Sequence, residues 1–149
     1  MKAKLVKRYY CDFCRKSGGS AGHMRRHESA CTMNPNRVCR VCKMAHGDLG
    51  AGEGVQSPIA QLLALLPDPA PFRYKHQETN GTQYYEDELG DETNAALPEL
   101  RDTTGNCPAC IMAALRQKGI PVGMVSGFDF KKEIAEIWSD VNSERAGQE

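Results

Sequence analysis

Seven cysteines and one histidine stand in this chain at the spacings that metal coordination requires. Cys11, Cys14, His27 and Cys31 read C-x2-C-x12-H-x3-C, and the remaining cysteines form two C-x2-C pairs, Cys39/Cys42 and Cys107/Cys110. Zinc takes four nitrogen or sulfur ligands at tetrahedral corners, so these eight donors fill two complete shells and leave no cysteine over. A shell closed by four protein ligands builds structure and keeps no open position for a substrate.

The spacing constrains the elements that must hold each ligand. His27 and Cys31 are four residues apart, so on a helix both side chains leave the same face. Ser20 is a suitable N-cap for such a helix beginning at Ala21. A competing register pairs His23 with His27. It leaves only eight residues between the ligand pairs, too few for a strand, a turn and two helical turns, and it strands Cys31. The twelve-residue register is therefore preferred, with His23 outward on the helix. The pairs Cys39/Cys42 and Cys107/Cys110 are 64 residues apart, and a shared zinc would clamp both ends of that stretch. His46 offers a rival ligand in the pattern C-x2-C-x3-H, but a site built on it leaves a coordination place open, and four thiolates are preferred.

Composition explains why a metal is needed. Leu, Ile, Val and Phe supply 26 of the 149 residues, a proportion that approaches the disordered range. A structural zinc site contributes folding free energy of order ten kcal/mol at neutral pH, which compensates for a thin core. The chain has no net charge, yet residues 1–46 hold eleven Lys/Arg against Asp12 and Glu28, whereas residues 47–149 hold eight basic and seventeen acidic residues. A basic head points to an anionic partner, DNA or RNA first, unless it simply docks on its own acidic half. MKAKLVKRYY lacks a continuous apolar stretch, and the longest apolar run, IAQLLALL, is too short for a bilayer. The expectation is a soluble cytoplasmic protein with no membrane partner, in which C-x2-C pairs bind metal rather than form disulfides.

Three segments follow: a basic Cys/His module over residues 1–46, a Gly-rich linker over 47–56 centred on GDLGAGEG, and an acidic, mainly helical domain over 57–149. Within the last, Ser57 and Pro58 open a short helix with Ile59, Leu62, Leu63 and Leu66 on one face, stopped by Pro67, Pro69 and Pro71. Residues 72–77 and 82–89, separated by a Thr-Asn-Gly turn, form a small hairpin, or else residues 86–97 begin a helix. Pro108 starts a helix over Ile111, Met112, Ala114 and Leu115 that ends at Gly119. A last helix, from about Asp129 to Arg145, carries Phe130, Ile134, Ile137 and Val141 at helical spacing, with Trp138 as its core anchor. The fold class expected is a small, zinc-stabilised α+β protein.

Residues 9–31 resemble the ββα zinc-finger family in a Cys-Cys-His-Cys variant. The longer string HESACTMNPNRVCRVC, where an Asn-Pro turn and another C-x2-C follow, is similar to small bacteriophage zinc-finger proteins, as are NCPACIMAALRQ and FDFKKEIAEIWSDVN. The resemblance implies zinc binding, a host-cytoplasmic setting, and a finger whose first two ligands lie on a hairpin and whose last two lie on a helix. Met24 stands where such fingers place a core leucine. Gly18 stands where they place a core aromatic, so Phe13 or Tyr9 must fill the gap, or the finger is weakly held. The helix positions that face bases in DNA-reading fingers fall on Ser20, His23 and Arg26, with Arg25 directed to a phosphate. One finger covers about three base pairs, so weak, salt-sensitive contact is the most it implies. A purely structural finger with a solvated basic face is the alternative.

Other chemistries fit poorly. CPAC opening a helix is a feature of thiol–disulfide oxidoreductases, but the polar RDTTGN precedes it where that chemistry needs a hydrophobic strand. A His-Asn-His-type nuclease would need a tight cluster between the knuckles, and His46, Asp48, His76 and Asn80 are scattered. With no Gly-rich phosphate loop and no Ser-His-Asp set, no enzyme activity and no small-molecule substrate are expected. A protein–protein adaptor using the finger and the last helix is the alternative function.

Overall fold

The computed structural model describes residues 1–45, 59–72 and 82–147. The Gly-rich linker, Ser57, Pro58, most of the 72–77 strand, and the residues His46, Asp48, His76 and Asn80 lie outside the described residues. The chain begins with two short antiparallel strands, β1 (Tyr9–Tyr10) and β2 (Ser17–Gly18), with Tyr9 opposite Gly18 and Tyr10 opposite Ser17. Helices α1 (Ala21–Ala30) and α2 (Arg40–Ala45) follow. Then come α3 (Ile59–Leu65), α4 (Thr82–Thr104), α5 (Pro108–Lys118), a 3-10 turn (Val122–Met124) and α6 (Phe130–Ala146).

Helix α5 is central. Pro108 occupies its first turn, where a missing N–H costs nothing, and Gly119 ends it in the left-handed region at φ 82°. It is buried along Ile111, Ala114 and Leu115 and packs against α3, α4 and α6. Leu62 of α3, Leu66 just after it, and Leu89, Leu97 and Leu100 of α4 complete the cluster, with Ile120, Val125 and Phe128 beyond α5. Cys39, Cys42, Cys107 and Cys110 belong to the same cluster, so the sulfurs are part of the core. The N-terminal module has a second core made of Met24 and three of its cysteines alone.

Two expectations are corrected. Of the two readings of this stretch the hairpin is overturned and the helix holds: 82–89 is not a strand but the start of a helix that runs to Thr104. Leu89, Thr93, Leu97, Leu100 and Thr104 recur at helical spacing and are all buried, and that continuous stripe overrides the β preference of Tyr84 and Tyr85. Pro98 sits inside α4 on its exposed side, removing the donor that would have bonded the Asn94 carbonyl. Nor is Trp138 a core anchor, being 41 % exposed. Helix α6 touches α2 and α5 and keeps Phe130, Ile134 and Ile137 only half-buried; from Trp138 onward every described residue but Val141 is exposed.

Helix α4 approaches the 3-10 turn closely at Gly90, where an added Cβ would stand 2.6 Å from the Met124 carbonyl oxygen. Helix α6 is tied to α4 by Arg101, whose guanidinium donates to both carboxylate oxygens of Glu133 at 2.8 Å. Among the described residues no helix is long and apolar enough to cross a membrane.

Candidate metal centres

The first centre is assembled at the junction of the hairpin and α1. Cys11 and Cys14 lie on the turn between the strands, closed by the Cys11 amide donating to the Lys16 carbonyl at 2.9 Å. Ser20 caps α1, its Oγ accepting from the His23 amide at 3.4 Å. The helix presents His27 in its last turn and Cys31 as its C-cap residue. His27 Nε2 is 3.2 Å from Cys14 Sγ, and all four donor atoms lie within 4.8 Å of one another. His27, not His23, stands with the three sulfurs; His23 is exposed. The expectation that Phe13 or Tyr9 fills the space at Gly18 is corrected, since both residues are exposed. The flexible Met24 side chain instead reaches that space, its Cε 3.5 Å from where a Gly18 Cβ would stand.

The Lys16 backbone amide and then His27 pull the Cys14 thiol down to about 7, so a large fraction is thiolate at neutral pH. Burial pushes Cys31 up. A cation at this centre would favour the thiolate form of both.

The second centre joins distant parts of the chain. Cys39 immediately precedes α2 and Cys42 lies within it, while Cys107 caps α5 and Cys110 lies in its first turn. Cys39 Sγ is 3.6 Å from Cys107 Sγ, and Cys42 Sγ is 3.6 Å from Cys110 Sγ. A disulfide would hold two sulfurs at about 2.05 Å. A tetrahedron with Zn–S of about 2.3 Å has an edge of roughly 3.8 Å, so the observed separations match metal ligands. All four are buried. Four facing sulfurs cannot all ionise without a cation. Hydrogen bonding with Cys107 pulls Cys39 down while pushing Cys42 and Cys110 up, and Cys110 pulls Cys107 down. A divalent cation removes that conflict by stabilising all four thiolates at once. The four sulfurs here and the three sulfurs with one imidazole at the first centre are the donor sets of closed tetrahedral sites, and both groups can each hold a metal ion.

Supporting residues enter that sequence reading overlooked. Arg37 is buried at 7 % exposure, with Nη1 3.8 Å from Cys110 Sγ. Asn34 shapes the turn between the centres: Nδ2 donates to the Glu28 carbonyl at 2.7 Å and Oδ1 accepts from the Asn36 amide at 2.8 Å. Helix α5 grips the same turn, Gln117 Nε2 donating to the carbonyls of Thr32 and Asn34 and Arg116 Nη1 donating to Thr32 Oγ1. The two centres are thus fastened together by direct hydrogen bonds. Arg40 donates through Nη2 to the Arg26 carbonyl at 2.7 Å, which sets a third arginine beside Arg25 and Arg26. Ser20, His23, Arg25, Arg26 and Arg40 are exposed. No protein-family model, curated protein or solved structure matches the chain.

Proposed function

We propose that this is a zinc-binding, non-enzymatic accessory protein of the bacteriophage type, whose basic N-terminal module contacts nucleic acid weakly. Residues 9–31 are read as a ββα finger held by one zinc, and Cys39, Cys42, Cys107 and Cys110 as the shell of a second. Zinc would supply fourfold cross-linking there, and the donor sets favour it over harder cations, which prefer oxygen. The observation that carries the nucleic-acid reading is the exposed arginine group Arg25, Arg26 and Arg40 on a module with eleven cationic and two acidic residues. Such a surface attracts phosphates without reading sequence.

The test is binding of mixed-sequence DNA and RNA at two salt concentrations, with Arg25→Ala/Arg26→Ala as the variant. Affinity should fall with salt, and the variant should lose about two units of salt slope while retaining its metal. Absence of binding even at low salt would overturn the reading. The exposure of Trp138 beside half-buried Ile134, Ile137 and Val141 favours a second reading, an adaptor that binds protein through α6.

A further inference from the structure

The hairpin carries an aromatic side chain that the packing of the module leaves unused. Neighbouring strand residues point to opposite faces. Arg8 Nη1 donates to Ser17 Oγ at 3.2 Å, and Ser17 is the cross-strand partner of Tyr10, so Arg8, Tyr10 and Ser17 share one face. Gly18, opposite Tyr9, faces Met24 of α1 on the other side. Tyr10 therefore points away from the helix and the first metal centre, and the residue is 65 % exposed. An arginine pinned by a hydrogen bond stands beside it. Lys7, Arg15 and Lys16 are exposed on the same short stretch, and Asp12 is its one acid.

An aromatic ring held outward among cations has a specific use. In a duplex the base faces are already stacked on one another, and such a ring finds sugar, phosphate and base edges but no open face. On an unpaired strand every base offers a free face to stack on, and the flanking cations meet the backbone. We infer that the outer face of the hairpin, with Tyr10 as stacking platform and Arg8 beside it as phosphate contact, binds single-stranded nucleic acid in preference to duplex. The inference rests on the nucleic-acid reading above and narrows it.

The experiment compares a labelled single strand of roughly 16 nucleotides with the duplex of the same sequence by fluorescence anisotropy at low salt. The full chain, Tyr10→Ala and Tyr10→Phe are measured, each with metal content verified. Tighter binding of the single strand is expected. It should weaken roughly 10-fold in Tyr10→Ala, the scale of one lost base stack, and be restored in Tyr10→Phe, with duplex binding unmoved. Equal or tighter duplex binding, or a Tyr10→Ala variant that binds the single strand as the parent does, overturns the inference while leaving the nucleic-acid reading in place. Absence of binding to either form overturns both.

Discussion

Arg37 shows what a single residue must do when sulfurs are buried together. Four thiolates around a dication leave a net charge of minus two, and placing that charge in the core is costly unless cations and N–H donors approach it. Arg37 brings a buried guanidinium to 3.8 Å from Cys110 Sγ. Removal of the charge in Arg37→Met should weaken metal retention at the second centre by roughly 10- to 100-fold, read by competition with a chromogenic chelator. Unchanged retention would mean that Arg37 only fills space. The eight residues of the two candidate centres were legible because cysteine pairs at fixed spacing have few other uses. Arg37 was not, because arginine is ordinarily a surface residue and only the fold turns this one inward.

At the scale of elements, legibility followed the strength of local punctuation. Helix α5 runs from Pro108 to Lys118 with Gly119 after it, and α6 opens where Asp129 accepts from the Lys132 amide. Proline, glycine and aspartate at those places have direct backbone reasons. The first turns of α4 have no such marks, and their tyrosines read equally well as strand. The misplacement of Trp138 has a different cause: its spacing with Ile134, Ile137 and Val141 reports a face, not whether another element covers that face. A polar contact adds to the packing of Phe130 at the start of α6. Arg101 holds the Glu133 carboxyl below the usual carboxylate range. A depressed folded value means stability that is present above the unfolded value near 4.3 and is lost as pH falls through the folded one. Glu133→Gln should therefore lower stability by about 1 kcal/mol at neutral pH, with the difference from the parent closing below about pH 4. Melting temperatures of the two proteins across that range test this, and parallel curves at every pH would refute it.

The whole molecule depends on its sulfurs because its oily residues are few and unevenly shared. The N-terminal module has Met24 and cysteines for a core, while the helical part packs leucines around α5 with four more cysteines at one side. Stripping metal with a strong chelator should unfold the first region outright and depress the melting temperature of the second. Cys31→Ser and Cys107→Ser should each lose one equivalent of zinc, measured by elemental analysis. A chain that keeps its circular dichroism and its melting temperature after chelation would contradict this account. The meeting of the two C-x2-C pairs could be expected from the count of cysteines left after the first group. The docking of the Asn34 turn on α5 could not, because bonds from Gln117 to backbone carbonyls place no demand on the residue types that accept them.

The order in which these parts can form is set by the way a chain is synthesised. Cys11 to Cys31 emerge within one short stretch and can capture an ion while the rest is still being made. Cys39 and Cys42 then wait through 64 further residues before Cys107 arrives. For that interval the nascent protein carries an open, two-thiol claw exposed to oxidants and competing ions. Any product truncated before Cys110 would keep it permanently.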